Sequence, residues 1–118
     1  MGFVLDHILK KIITAGPETV NADFESNSID ISDREDEFAV TLDYSNGSSV
    51  GMSLFLQVST DNIVFADVDG SEQAITDDTG THIWDIAGTG ATYLRVRIAH
   101  SSGSIDIDEI RYTGKRRH

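Results

Sequence analysis

The chain contains no cysteine. That removes disulfide frameworks, thiol nucleophiles and thiolate zinc sites, and it leaves the redox compartment open, because a cysteine-free fold tolerates either state. Proline occurs once, at Pro17. Basic residues are scarce: 9 Lys and Arg stand against 20 Asp and Glu, for a formal net charge of −11. Affinity for phosphate backbones comes from Lys and Arg, so no nucleic-acid partner is expected. The acidity fits a solvating surface or a partner with a basic face. No apolar run reaches the roughly 18 residues of a membrane-spanning helix, so no membrane partner is expected either. The N-terminal "FVLDHILKKII" is broken by Asp, His and two Lys, and no secretory signal is read in it. What remains is a chain of 118 residues with 39% hydrophobic content, enough for one domain around one core.

Catalytic motifs are missing as well. There is no Gly-x-Ser-x-Gly elbow, and "GTGATYL" lacks the Lys-Ser/Thr of a phosphate loop and leads into a strand pattern. His7, His82, His100 and His118 are scattered, without metal-ligand spacing. His82, beside Trp84 and Asp85, reads as a strand-edge histidine facing water. The acidic stretches "DVDGSE" (Asp67, Asp69, Glu72), "DDTG" (Asp77, Asp78) and "DIDE" (Asp106, Asp108, Glu109) offer oxygens of the kind calcium takes. None has the Gly and Glu positions of the twelve-residue calcium loop, so they read as solvated turn carboxylates. The expectation is a protein that is not an enzyme and has no catalytic residues, no cofactor and no metal.

What the chain does have is alternation. Phe38, Val40, Leu42 and Tyr44 take one face of "FAVTLDY", and Met52, Leu54, Leu56 and Val58 take one face of "MSLFLQVS", with Phe55 on the other. Leu94, Val96 and Ile98 alternate with Tyr93, Arg95 and Arg97. In the last strand Ile105 and Ile107 share one parity while Ile110 and Tyr112 have the other, which predicts a bulge near Asp108-Glu109. Turn signals recur every 8–12 residues, among them Asn46-Gly47 and Ser101-Ser102-Gly103. With no crossover helices between strands, the pattern predicts an all-β fold: a single antiparallel β-sandwich of about eight strands, jelly-roll or discoidin-like. The segment before Gly16-Pro17 is ambiguous, because Val4, Leu5, Ile8, Leu9 and Ile12 form a helical stripe while "LKKIITA" also reads as a strand. The expected organisation is a short N-terminal arm or docking segment at 1–17, drawn as an arm or helix, the sandwich at 18–114 and a basic tail at 115–118.

Tyr93, Arg95 and Arg97 share the face opposite the core, with the two arginines about 7 Å apart along the strand. Three readings are open: a register-fixing charge ladder with Asp106, Asp108 and Glu109 across the Ser-Ser-Gly turn, a ligand face that includes Trp84, or a subunit interface, where Arg and Tyr are enriched.

The succession "LQVSTDNIVFADVDGSEQAI", "HIWDIAGTGATYLRVRI" and "SSGSIDIDEIRYTGK" resembles a pattern of small β-sandwich virion proteins of tailed bacteriophages, and shares the strand order of discoidin-like sandwiches. The likeness spans about Ile29 to Lys115. Ser59, Asp61 and Phe65 fall in its turn-and-strand motif, Gly70-Ser71 in its turn, Trp84 in its core, and Tyr93, Arg95 and Val96 in its signature strand. Asn62 stands where the turn usually has Gly, and Phe65 where Trp is usual. The resemblance implies a non-enzymatic virion protein on the surface of the phage particle, most simply a capsid decoration protein. Its partners would be copies of itself, as a homo-oligomer of trimer type, and the major capsid or another virion protein. Phe3, Leu5, Ile8, Leu9 and Ile12 are the candidate assembly contacts, and Tyr93, Arg95 and Arg97 the candidate interface strand. The alternative is a carbohydrate- or receptor-binding module on a phage tail or bacterial surface.

Overall fold

The computed structural model describes residues 7–32, 37–87 and 90–116. They form eight strands: β1 (His7–Val20), β2 (Phe24–Glu25), β3 (Ile29–Asp30), β4 (Glu37–Ser59), β5 (Ala66–Asp67), β6 (Gln73–Ile75), β7 (Gly80–Ala87) and β8 (Tyr93–Arg116). All pairings are antiparallel and belong to one sheet. The all-β antiparallel expectation therefore holds.

The sheet is organised by two long strands. β4 and β8 pair with each other from Glu37↔Lys115 to Ser59↔Tyr93. The outer edge of β8 is lined in turn by β1, β2 and β3, and the outer edge of β4 by β5, β6 and β7. A straight strand of 23 residues such as β4 would reach about 75 Å at 3.3 Å per residue. The molecule measures 53 × 33 × 22 Å, so the ribbon bends. Its bend lies where the ladder slips, between Ser45/Ser48 and Ser48/Gly51 on β4, opposite Ser102 and Ser104 on β8.

These are the stretches whose residues signalled hairpin turns, and the structure corrects that reading. Asn46, Ser49 and Gly103 have φ of 54°, 53° and 77°. Turns and bulges both need such left-handed residues, and here the need is a crease in a continuous strand. A side chain on Gly103 would collide with the carbonyl oxygens of Ser48 and Ser49 across the crease.

Folded at this crease, the sheet becomes two layers. One half contains β7, residues 37–44 of β4, residues 105–116 of β8, and β1. The other contains β5, β6, residues 52–59 of β4, residues 93–100 of β8, β2 and β3. Val40, Leu42, Ile107, Ile110 and Tyr112 of the first half are fully buried, as are Leu54, Leu56, Leu94, Val96 and Ile98 of the second. They belong to one core. With no helix among the described residues, each half is what keeps water off the other.

The predicted bulge is present. Asp43 pairs with Glu109 and Tyr44 with Ile107, so Asp108 is the extra residue. The slip lets Ile105 and Ile107 before it, and Ile110 and Tyr112 after it, all point inward.

The N-terminal segment differs from the expected arm or helix. From His7 onward it is a strand hydrogen-bonded along β8, and it runs through Gly16-Pro17, a cis peptide, without a boundary at residue 17. The β8 edge offers a row of backbone partners, whereas an isolated helix of this length is marginal without a surface to pack on. Its register slips at Ile13 and again at Gly16-Pro17, where Gly16 lies against the carbonyl oxygens of Ile107 and Asp108.

Candidate functional site

The second half of the sheet carries the signature strand. Alternation along β8 buries Leu94, Val96 and Ile98 and leaves Tyr93, Arg95 and Arg97 half-buried on the opposite, outer face. The arginines do not meet Asp106, Asp108 or Glu109, because β8 does not turn back at Ser101–Gly103. Arg95 instead donates from Nε to Gln57 Oε1 at 2.8 Å and from Nη2 to Glu25 Oε2 at 2.5 Å. Arg97 donates from Nε and Nη2 to the two oxygens of Asp67, at 3.3 and 3.1 Å. Gln57 Nε2 donates to Asp67 Oδ1 at 2.8 Å, which ties both arginines into one network across β2, β8, β4 and β5. The Arg97 hydrogen bond is the main cause that holds the Asp67 carboxyl below its usual range.

The same arginines cover aromatic rings. The Arg95 guanidinium lies 3.9 Å from the ring centre of Phe65, and that of Arg97 lies 4.1 Å from the ring centre of Phe55. Phe55, placed on the outer face by the alternation of β4, thus finds its cover in a cation and not in another strand. Gln57, Glu25 and Asp67 are the members of this network that the sequence reading missed. The outer parity of Phe55 was a clue to the face, but nothing in the sequence marks their pairing with residues 30 to 70 positions away.

The turn before Phe65 explains one departure from the phage pattern. The Ser59 hydroxyl accepts the N–H groups of Asp61 (3.2 Å) and Asn62 (3.0 Å), and the Asp61 carboxylate accepts those of Ile63 (2.9 Å) and Val64 (3.0 Å). The latter bonds, Val64 first, lower the Asp61 pKa. Asn62 has φ of 62°, the left-handed conformation glycine favours and asparagine tolerates best among the others.

Trp84 takes no part in that face. It lies on β7 with 6% of its surface exposed, and its indole N–H donates to the Ser71 carbonyl at 2.7 Å. His82 meets Trp84 edge-on with ring centres 4.5 Å apart, and burial lowers its pKa. The expectation of a water-facing edge histidine is met only in part, since the ring is half-buried. A groove of about 420 Å³ runs beside these residues, between β7 and the Val68–Gln73 segment. Trp84 and Ser71, joined by that bond, are among its lining residues.

The candidate assembly contacts fall on the other half. Ile12, 43% exposed, sits on the outer face of β1 opposite Arg111. Ile8 and Leu9 lie in β1 opposite Lys115 and Gly114. Phe3 and Leu5 lie outside the described residues. The structure therefore separates the two predicted sets: Ile12 on one half of the folded sheet, Tyr93, Arg95 and Arg97 on the other. Arg111, near Ile12, donates to Asp43 at 2.9 Å and to Glu109 at 3.0 Å.

Fold and site together define an all-β antiparallel domain whose Arg95, Arg97 and Arg111 are spent on ion pairs over its outer faces. Over its whole length it is similar to the crystal structure of the SPBc2 prophage-derived protein YomS, with a TM-score of 0.61, 13% sequence identity and 98% of each chain covered. At that identity the likeness is one of fold. No protein-family model matches the chain, and no curated protein is similar to it in sequence.

Proposed function

We propose that this chain is a non-enzymatic structural component of a bacteriophage particle: a capsid decoration protein on the virion surface that associates with copies of itself and with the major capsid protein. The observation that carries the reading is the likeness in fold to a prophage-derived protein, which extends over 98% of both chains. The sequence pattern of small phage β-sandwich proteins points the same way. The outer-face network adds physical support. Phe55 and Phe65 lie under guanidinium groups and Trp84 is buried, so these rings present no open platform on which a sugar would stack. That weighs against the carbohydrate-binding alternative.

The test is mass spectrometry and antibody labelling of purified particles from a host that carries the gene. The expected result is the chain present in many copies on the head. Particles that lack it, or label only at the tail tip, overturn the decoration reading. A glycan array with bound sugars would favour the receptor-binding module.

A further inference from the structure

Strand order places eight residues of the first half in two continuous rows of four. Across the outer face, Ile83 of β7 pairs with Thr41 of β4, Thr41 with Arg111 of β8, and Arg111 with Ile12 of β1. One step along, Asp85 pairs with Ala39, Ala39 with Thr113, and Thr113 with Lys10. Each row thus begins at one free edge of the half-sheet and ends at the other. One row is tipped by isoleucines, Ile83 at 55% and Ile12 at 43% exposure. The other is tipped by an exposed acid, Asp85, and an exposed base, Lys10, neither of which has an ion-pair partner among the described residues. Among the described residues, β7 pairs only with β4 and β1 only with β8, so both edges are open.

The geometry points to head-to-tail assembly of this chain, in which β1 of one copy adds antiparallel to β7 of the next and continues the sheet. Directions agree: β7, β4, β8 and β1 alternate, so a copy laid beside β1 presents its β7 in the antiparallel sense without turning over. Register agrees as well. Extending the rows straight across the junction sets Ile12 against the neighbour's Ile83 and Lys10 against the neighbour's Asp85, burying the one apolar pair and matching the one charge pair. Pairing would run over residues 8–12 of β1 and 83–87 of β7. Beyond Ile12 the bulges at Ile13 and Gly16-Pro17, with a proline that has no N–H to give, blunt the edge and end the ladder. Because the two surfaces differ, the contact is heterologous: it builds a ring if the rotation per copy closes and a filament if it does not. The inference rests on the proposed function only for its claim that copies associate, and it deepens that claim by naming the surfaces.

Two measurements on the full chain test it. In the first, Lys10→Asp and Asp85→Lys are made singly and together, and self-association is followed by sedimentation velocity, with circular dichroism to confirm folding. Each single change should weaken association about fivefold or more, and the double change should restore it. In the second, Ile12→Cys and Ile83→Cys chains, each with a single thiol in a protein that otherwise has none, are mixed and oxidised. Facing residues of an antiparallel pair have the Cα spacing a disulfide needs. The mixture should give a cross-linked dimer of one chain of each kind, while either chain alone should stay uncross-linked. Oligomers that ignore the charge changes, or cross-links within a single variant, overturn this junction and leave self-association standing. A chain that stays monomeric at every concentration overturns both.

Discussion

The two halves of the folded sheet use arginine in contrasting ways. In the second half, Arg95 and Arg97 lie over Phe65 and Phe55 and reach Glu25, Gln57 and Asp67 beyond them. In the first half, Arg111 holds Asp43 and Glu109 over small neighbours, and Thr41 is buried beside it. The first arrangement covers its strands, with rings shielded and cations paired, and its exposed apolar residues, Ile63 and Val64, lie in the turn before Phe65. The second fixes the middle of its face and leaves Ile12 and Ile83 uncovered at the margins. Covered strands have little to offer a partner, so apolar surface is left in a loop of the second half and at the sheet edges of the first, where among the described residues the edge backbone is also unpaired.

The contrast is confined to the outer faces only if the halves share one interior. Leu42→Ala in the first half and Leu54→Ala in the second remove equally buried side chains, and each should cost about 2–5 kcal/mol in urea denaturation. Both variants should keep a single transition. Two separated transitions would show that the halves are independent folding units. At the crease, Gly103→Ala puts a β-carbon at φ 77° against two carbonyl groups and should cost about 1–3 kcal/mol, measured the same way. A neutral result would mean that the crease can form elsewhere.

The arginine comparison is sharpened by a smaller effect. Arg95→Ala uncovers Phe65 and strands Glu25, whereas Arg111→Ala leaves Asp43 with the Thr81 hydroxyl at 2.6 Å. Losses of about 1 kcal/mol and about half that are expected. A double-mutant cycle of Arg95→Ala with Phe65→Leu should show coupling, and additivity would break the contrast.

The smallest effect is in pH. Burial lowers the pKa of His82 in the folded state, so the unfolded chain binds its proton more readily. Stability is then fullest above the unfolded value of about 6.5 and falls as pH drops below it. His82→Gln should flatten the denaturation midpoint between about pH 5 and 7. The carboxylates act lower. Asp43 is held down chiefly by the Thr81 hydroxyl and Asp67 by Arg97, and both contribute stability above about pH 3.9 that is lost as pH falls through their folded values.

Much of the core was legible in the sequence. Period-two alternation at Phe38–Tyr44, Met52–Leu56 and Leu94–Ile98 named residues that are buried, and the parity break after Ile107 located a real bulge. Connectivity was harder. Asn46-Gly47 and Ser101–Gly103 carry the chemistry of turns because a crease needs the same left-handed backbone, and only the opposing strand tells the two apart. The N-terminal stripe fits a helix and a strand alike, and the open edge of β8, contributed some hundred residues later, decides between them. The arginine face was readable from alternation, but its partners were sought in the nearest acids along the chain. Glu25 and Asp67 are nearest only after folding. The rows ending at Lys10, Ile12, Ile83 and Asp85 needed strand order, which no local pattern encodes.

The pairing of β8 with β1, β2, β3 and β4 sets a timetable for synthesis. Every one of those strands precedes β8 along the chain, so as the polypeptide leaves the ribosome β1, β2 and β3 wait without a mate while β4 through β7 can already meet. The nascent chain therefore carries exposed strand edges until residues 93–116 emerge, and a messenger truncated before them yields a product with most of its ladder missing and nothing to shield it from aggregation.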